Sequence, residues 1–396
     1  MRYAVIRLDG SYHETGSRFN VMRAVSGGRS FRLDHLLEQV DSILTTASVS
    51  RVLVVRGPDF RSPLFGAIEE IRSALERLVS SGKKVWYYAP DYEMTDCCLA
   101  SACTTRLMHP LGTLAFRGTS RTGLFFREAL DRHSVDVTVI RRGAFKSAAA
   151  AFLGTAYDAE DRLQWQRLLD HMVEFCREKV TGSGMMDAAV LDELMGGTFL
   201  AANEAVTRGL VHAAQVPDEL LAAWKREKGK LHRRKKYSGG HGRGRAETAV
   251  LIHEGAIVEG ENRTSPILGQ AVGDEYMVRQ IRKLEKRKKV KAVVFRINSG
   301  GGSATASENI LKALESLAEK KPLAVSMGPV AGSGGYWIAG TGRRLFAGDT
   351  TVTGSIGVIS LFVNVEKLLA SMGVTADTVR QGEFADSGSA LRPIRE

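Results

Sequence analysis

The chain of 396 residues contains no run of 18 or more apolar residues, the length a helix needs to cross a bilayer, so no transmembrane span is expected. A secretory leader is not expected either, since Met-Arg-Tyr-Ala-Val-Ile-Arg-Leu-Asp-Gly reads as a strand. Cysteine is scarce. Cys97, Cys98, Cys103 and Cys176 are the four, two of them adjacent and none in Cys-x-x-Cys spacing. That argues against a disulfide framework and against a thiolate zinc site. Buried reduced thiols fit better, and no metal or cofactor is expected. Acidic residues are outnumbered, giving a net charge of +11, but the excess is local. Residues 225–245 hold ten Lys/Arg and one Glu, leaving only +2 for the remainder. No aromatic stacking platform accompanies them, so nucleic acid is not expected as a partner. The segment reads as a solvated, disordered linker. Its second reading is attraction to anionic lipid headgroups, at about 1 kcal/mol per basic residue near the surface.

What is present centres on Ser333, in Gly-Pro-Val-Ala-Gly-Ser-Gly-Gly-Tyr-Trp-Ile, residues 328–338. A serine between glycines and before an apolar run suits a nucleophile at the start of a buried helix, because glycine permits a sharp turn and a close substrate carbonyl. The helix N-terminus would also favour developing negative charge. About thirty residues earlier, Asn298-Ser-Gly-Gly-Gly-Ser303 follows the apolar run 292–295. A strand followed by a glycine loop can aim backbone N–H groups at an oxyanion. The loop lacks the Gly-Lys-Ser/Thr ending of a nucleotide-binding loop. All nine histidines precede Ser333 and none lies in a catalytic-looking motif. A lysine with a lowered pKa is the alternative base. Lys367, the one lysine downstream, looks like an ordinary helix position beside Glu366.

The chain repeats itself. Val-Leu-Val-Val-Arg at 52–56 matches Ala-Val-Val-Phe-Arg at 292–296, and Ala-Leu-Glu-Arg-Leu at 74–78 matches Ala-Leu-Glu-Ser-Leu at 313–317. Arg-Arg-Gly-Ala-Phe-Lys at 141–146 matches Arg-Gln-Gly-Glu-Phe-Ala at 380–385. The offset stays near 240 residues, which marks a tandem domain duplication. The expected division is a first copy over 1–217, a basic linker over 218–246 and a second copy over 247–396. The copies differ in complementary ways. Copy one keeps Lys146 and has Thr95, or a neighbour, where copy two has Ser333; copy two has Ala385 where copy one has Lys146. Lys146 lies in an apolar setting, Gly-Ala-Phe-Lys-Ser-Ala-Ala-Ala-Ala-Phe, where desolvation disfavours its charge.

These motifs, with Ala331-Gly-Ser-Gly-Gly-Tyr-Trp337, Thr353-Gly-Ser-Ile-Gly357 and Lys146-Ser-Ala, resemble the signal peptide peptidase A family of Ser/Lys proteases in its long, tandem form. The resemblance implies a duplicated α/β domain of the ClpP/crotonase-like fold, with Ser333 as nucleophile, Lys146 as general base and Ser355 orienting the lysine. Gly301, Gly302 and Gly334 would supply the oxyanion hole. It further implies apolar peptide substrates such as signal-peptide remnants, a homo-oligomer of tetramer size, and work at a membrane. With no span in this chain, the expected location is peripheral, otherwise cytoplasmic. An acyl-CoA enzyme of crotonase type, using the same loop on a thioester enolate, is the alternative; it has no need of the Gly-Ser-Gly-Gly motif. Three departures stand out: Gly300 replaces the family's usual proline, no N-terminal anchor opens the chain, and copy two stops soon after Ala385, as in a shortened or incomplete sequence.

Apolar runs and helical periods within copy two predict strands at 249–252, 292–297, 323–327 and 345–347. Helices are expected at 275–287, 303–318, from Ser333, and at 363–372. In copy one a long helix is expected over 158–180.

Overall fold

Apolar runs alternating with amphipathic stretches become, in a computed structural model, two parallel sheets of one pattern. The structure describes residues 2–15, 30–60, 65–143, 145–232, 246–265, 269–342 and 344–394. Copy one runs β1 (Arg2–Leu8), α1 (Leu33–Leu44), β2 (Val49–Arg56), α2 (Phe65–Ser80), β3 (Lys84–Ala89), α3 (Met94–Ala100) and β4 (Thr105–Met108). Copy two repeats it as β5 (Glu247–Glu254), α4 (Asp274–Lys286), β6 (Val290–Ser299), α5 (Ala304–Lys320), β7 (Leu323–Gly332), α6 (Gly334–Ala339) and β8 (Arg344–Phe346). The orders are β4-β3-β2-β1 and β5-β6-β7-β8, every pair parallel. Even an irregularity is shared: the register slips between Arg2 and Tyr3 against β2, and between Glu247 and Thr248 against β6.

The cause lies in the residue pattern. Val52, Leu53 and Val54 are fully buried, as expected for a parallel strand covered on both faces. Helix α2 buries Ala67, Ile71, Leu75 and Leu78, and α5 buries Ala306, Ile310, Leu314 and Leu317. This one spacing, a single apolar stripe, fixes the register of the duplication inside the core. The four cysteines are buried free thiols, as their neighbours in sequence suggest.

By their contacts the residues form two compact units. The first holds Met1–Thr119 and His171–Thr353, and so both sheets; the second holds Ser120–Asp170 and Gly354–Glu396. The second unit therefore takes one segment from each copy. Its frame is an antiparallel ribbon, Asp136–Arg141 against Ile359–Asn364, with Arg141 opposite Ile359. Here the sequence reading needs correction. Val363 and Asn364 belong to this strand, and the helix begins at Glu366. Cross-strand pairing with a segment of the other copy outweighs the local helical pattern. Lys367 reaches Asp136 at 3.0 Å on the surface, not Glu366.

The basic stretch is also corrected in part. Lys225 and Arg226 close the helix Pro217–Arg226, which Trp224 anchors by burial, and Lys230–Leu231 pairs with β1. Residues 225–232 are thus ordered, and 233–245 lie outside the described residues. Among the described residues no helix is long and apolar enough to cross a membrane.

One buried group is expected to make the first unit acid-sensitive. His253, fully buried on β5, has its pKa pushed from 6.5 down to about 4, chiefly by loss of solvation. Between those values the unfolded chain binds a proton that the native state refuses, so stability falls as pH drops from about 6.5 toward 4. The loss approaches about 3 kcal/mol. Urea unfolding at pH 7 and 4.5 should show it, and His253→Leu should flatten the difference; an unchanged difference would assign the acid sensitivity elsewhere.

Candidate active site

Two clusters hold the candidate residues, one in each unit. In the first unit, β6 ends at Ser299 and the chain turns through Gly300, Gly301 and Gly302 into α5, which Ser303 caps by accepting from Ala306 N–H at 3.2 Å. Beside it, β7 ends at Gly332 and Ser333 opens α6. Ser333 sits at φ 52°, ψ −119°. Glycine favours that conformation, and a serine held there costs about 1–3 kcal/mol; such strain clusters at active sites. It is the backbone of a serine presented on a sharp strand-to-helix turn.

The glycines are required because two backbones touch. A Cβ on Gly301 (φ 98°) would lie 2.6 Å from Gly334 N and 2.8 Å from Ser333 Cβ. One on Gly302 would lie 2.0 Å from Ile257 O, and one on Gly334 2.4 Å from Ser307 Oγ and 3.3 Å from Gly302 N. Gly300 differs: nothing lies within 4 Å of its Cβ position. The structure thus brings Ser333, Gly301, Gly302 and Gly334 together. The Gly301 N–H is donated to Ser299 Oγ at 3.1 Å. Sequence reasoning does not single out two buried serines that shape this turn. Ser299 receives that N–H, and Ser307 donates to Ser303 O at 2.7 Å. Their only signal is position, inside the loop motif and one turn after it.

In the second unit the ribbon brings the Lys146 loop against the Ser355 loop. Arg142 N–H donates to Val358 O, and a Cβ on Gly357 (φ 134°) would lie 2.7 Å from Arg142 O. Lys146 is 5 % exposed. Its Nζ donates to Ser355 O at 2.6 Å and to Ser355 Oγ at 3.1 Å. Burial lowers its pKa from the ordinary lysine value, since an ammonium out of water loses hydration. Ser355, at φ 50°, is another of the few non-glycine residues with positive φ among those described. So Lys146 and Ser355, drawn from different copies, meet here.

The duplication also shows what copy one has in place of Ser333. Helix α3 begins at Met94 as α6 begins at Gly334, and the residue ahead of it is Glu93, whose side chain and that of Asp96 form a capping box. The turn that presents Ser333 in copy two is an ordinary helix cap in copy one. No group of His, Cys, Asp and Glu able to hold a metal occurs among the described residues.

The model of peptidase family S49 matches residues 77–230 and 315–396, more than half of the sequence. The chain belongs to this family. Its relatives include Protease 4 of Haemophilus influenzae, 31 % identical over 355 residues, which are 83 % of this chain and 56 % of that one. Protease 4 of Salmonella typhi is 33 % identical over 80 % of this chain and 53 % of its own. The chloroplastic serine protease SPPA of Arabidopsis thaliana is 27 % identical over 84 % and 51 %. The chain therefore spans about half the length of the curated relatives it matches. Solved structures that match include a membrane-bound stomatin-specific protease, with 14 % identity, a TM-score of 0.31 and coverage of 56 % of this chain and 83 % of that one. Family membership agrees with the motifs that first suggested it, and the α/β duplication is plain in the two sheets.

Proposed function

We propose that this chain is a serine endopeptidase with a Ser/Lys dyad. The observation that carries the reading is the glycine loop 300–302 pressed against a strained Ser333 at the head of α6. Neutral Lys146 takes the proton from Ser333 Oγ as that oxygen attacks a peptide carbonyl carbon. The carbonyl oxygen gains negative charge and is met by N–H groups of Gly301, Gly302 and Gly334. For Gly301 to donate, its N–H must turn from Ser299 Oγ to the oxyanion. The lysine then protonates the leaving amine, and an acyl-enzyme remains. Water, deprotonated by the same lysine, releases the acid and restores both groups. Ser355 orients the lysine through its carbonyl and hydroxyl oxygens, which fixes the amine while leaving it a short path to neutrality.

Apolar peptides, such as signal-peptide remnants, are the substrate class this reading favours. The serine and the lysine lie in different copies, so the copies must meet, within one chain or between neighbours, and a tetrameric ring would provide both. Mixing Ser333→Ala with Lys146→Ala protein tests this alongside light scattering. Regained hydrolysis places the dyad across chains, no recovery in exchanging subunits places it within one, and a fully active monomer removes the ring. The basic stretch would hold the enzyme peripherally at anionic lipid. Salt-sensitive sedimentation with anionic but not neutral vesicles supports that, and equal sedimentation with both overturns it.

A further inference from the structure

We propose that α2 of copy one is a positioning element for Ser333 of copy two, acting through Glu69 and Glu70. The inference rests on the reading of Ser333 as nucleophile and goes beyond it. Copy one has Glu93 at the place of the serine, yet its helix α2 holds the strand that delivers Ser333 at three points, once directly and twice through groups bonded to that strand. At Gly66 a Cβ would lie 2.7 Å from Pro329 Cα, so helix and strand are in backbone contact four residues before the nucleophile.

The second point is Arg296, on β6 two residues before Asn298. Its Nη1 donates to Ser326 Oγ at 3.0 Å and to Met327 O at 2.9 Å, on β7. Its other nitrogens are held by copy one. Nη2 donates to Glu14 Oε1 at 3.0 Å and to Glu70, and Nε to Glu14 Oε2 at 3.2 Å. Glu14 is 3 % exposed, and a carboxylate and guanidinium so far from water depend on this pairing. The guanidinium is thereby a strut between the strand that feeds the glycine loop and the strand that feeds Ser333.

The third point is Glu69. Its carboxylate accepts from Asp349 N–H at 2.9 Å, Thr350 N–H at 2.9 Å and Thr350 Oγ1 at 2.7 Å. The same turn returns to β7, where Thr351 Oγ1 donates to Gly328 O at 3.1 Å and Thr353 Oγ1 to Ala331 O at 2.8 Å. Glu69 thus fixes a turn that is itself tied to both ends of the 328–331 segment.

The duplication shows that this arrangement is one-sided. Arg56 stands in copy one where Arg296 stands in copy two, and it pairs with Asp96 of its own α3 at 3.4 Å. By the register of α3 and α6, Tyr336 replaces that aspartate in copy two. Arg296 has lost its internal carboxylate and takes two from copy one. In turn, the core register of α2 and α5 puts Glu308 and Asn309 at the places of Glu69 and Glu70. Both bond inside copy two, Glu308 to Lys312 and Asn309 to Asp274.

The test uses the full chain with Glu69→Gln, Glu70→Gln and Arg296→Lys, and titrates Ser333 with a fluorophosphonate so that rates are expressed per reactive serine. Displacing a catalytic group by up to about 1 Å lowers turnover by about 10- to 100-fold. That loss is expected in kcat per titrated serine and in the acylation rate, with KM for a small peptide within twofold. Thermal melting of Glu69→Gln should stay within a few degrees. A merely structural role would lower the melting temperature and the titratable fraction but leave kcat per serine unchanged, and that result overturns the proposal. If the wild type forms no adduct at Ser333, the nucleophile assignment itself fails. A wild-type adduct with unaltered variant rates overturns only the positioning role.

Discussion

Replacing Ser333 by alanine is expected to lower peptide hydrolysis at least about 10⁴-fold, and Lys146→Ala should do the same, because nucleophile and base act as one unit. The double variant should be no slower than either single one. Additive losses would mean that the two residues contribute independently, which a dyad forbids. Ser355→Ala should cost much less. Lys146 Nζ keeps its 2.6 Å bond to the Ser355 carbonyl and loses only the 3.1 Å bond to the hydroxyl. A single hydrogen bond to a charged group corresponds to a loss of roughly tenfold or somewhat more. Near wild-type turnover of Lys146→Ala at neutral pH would remove the lysine from the chemistry.

The second large effect is expected at the glycine loop, where neighbouring residues should respond in opposite ways. Gly302→Ala places a methyl group 2.0 Å from the Ile257 carbonyl oxygen, and Gly301→Ala places one 2.6 Å from Gly334 N on a backbone at φ 98°. Backbone atoms cannot move aside as a flexible side chain can. Each substitution should destabilise the first unit by about 3 kcal/mol or more and abolish acylation of Ser333. Gly300→Ala meets nothing within 4 Å and should change stability by no more than about 0.5 kcal/mol. Urea denaturation with an acylation assay would measure both. Equal responses at Gly300 and Gly302 would show that the loop does not need its backbone contact.

Much of this arrangement is legible in the sequence because it is local. The run Ala-Val-Val-Phe, the glycines after it and the Gly-Ser-Gly-Gly turn each declare their backbone through composition, and the constant offset between repeats declares the duplication. Lys146 is legible only by comparison, since its copy lacks the serine and the other copy lacks the lysine. What stays hidden depends on residues far apart. Nothing around Asp136–Arg141 announces a partner strand at Ile359–Asn364, and the helical spacing that continues through Leu369 is overridden by cross-strand pairing at Val363 and Asn364. Glu14, Glu69 and Glu70 carry no motif at all. A carboxylate looks the same in sequence whether it faces water or a buried guanidinium.

The pH dependence of Ser333 acylation joins these strands of the account. The base must be neutral to accept a proton, so the rate rises with pH until Lys146 has lost its charge. Burial moves that point below the ordinary lysine value of 10.5. The most direct measurement is therefore fluorophosphonate labelling across a pH series, with the adduct located by peptide mass spectrometry, for wild type and for Lys146→Ala. The account predicts an adduct on Ser333, a wild-type rate climbing to a plateau with an apparent pKa below 10.5, and loss of both rate and plateau without the lysine. An adduct on another residue, or a Lys146→Ala protein labelled at the wild-type rate, would contradict it.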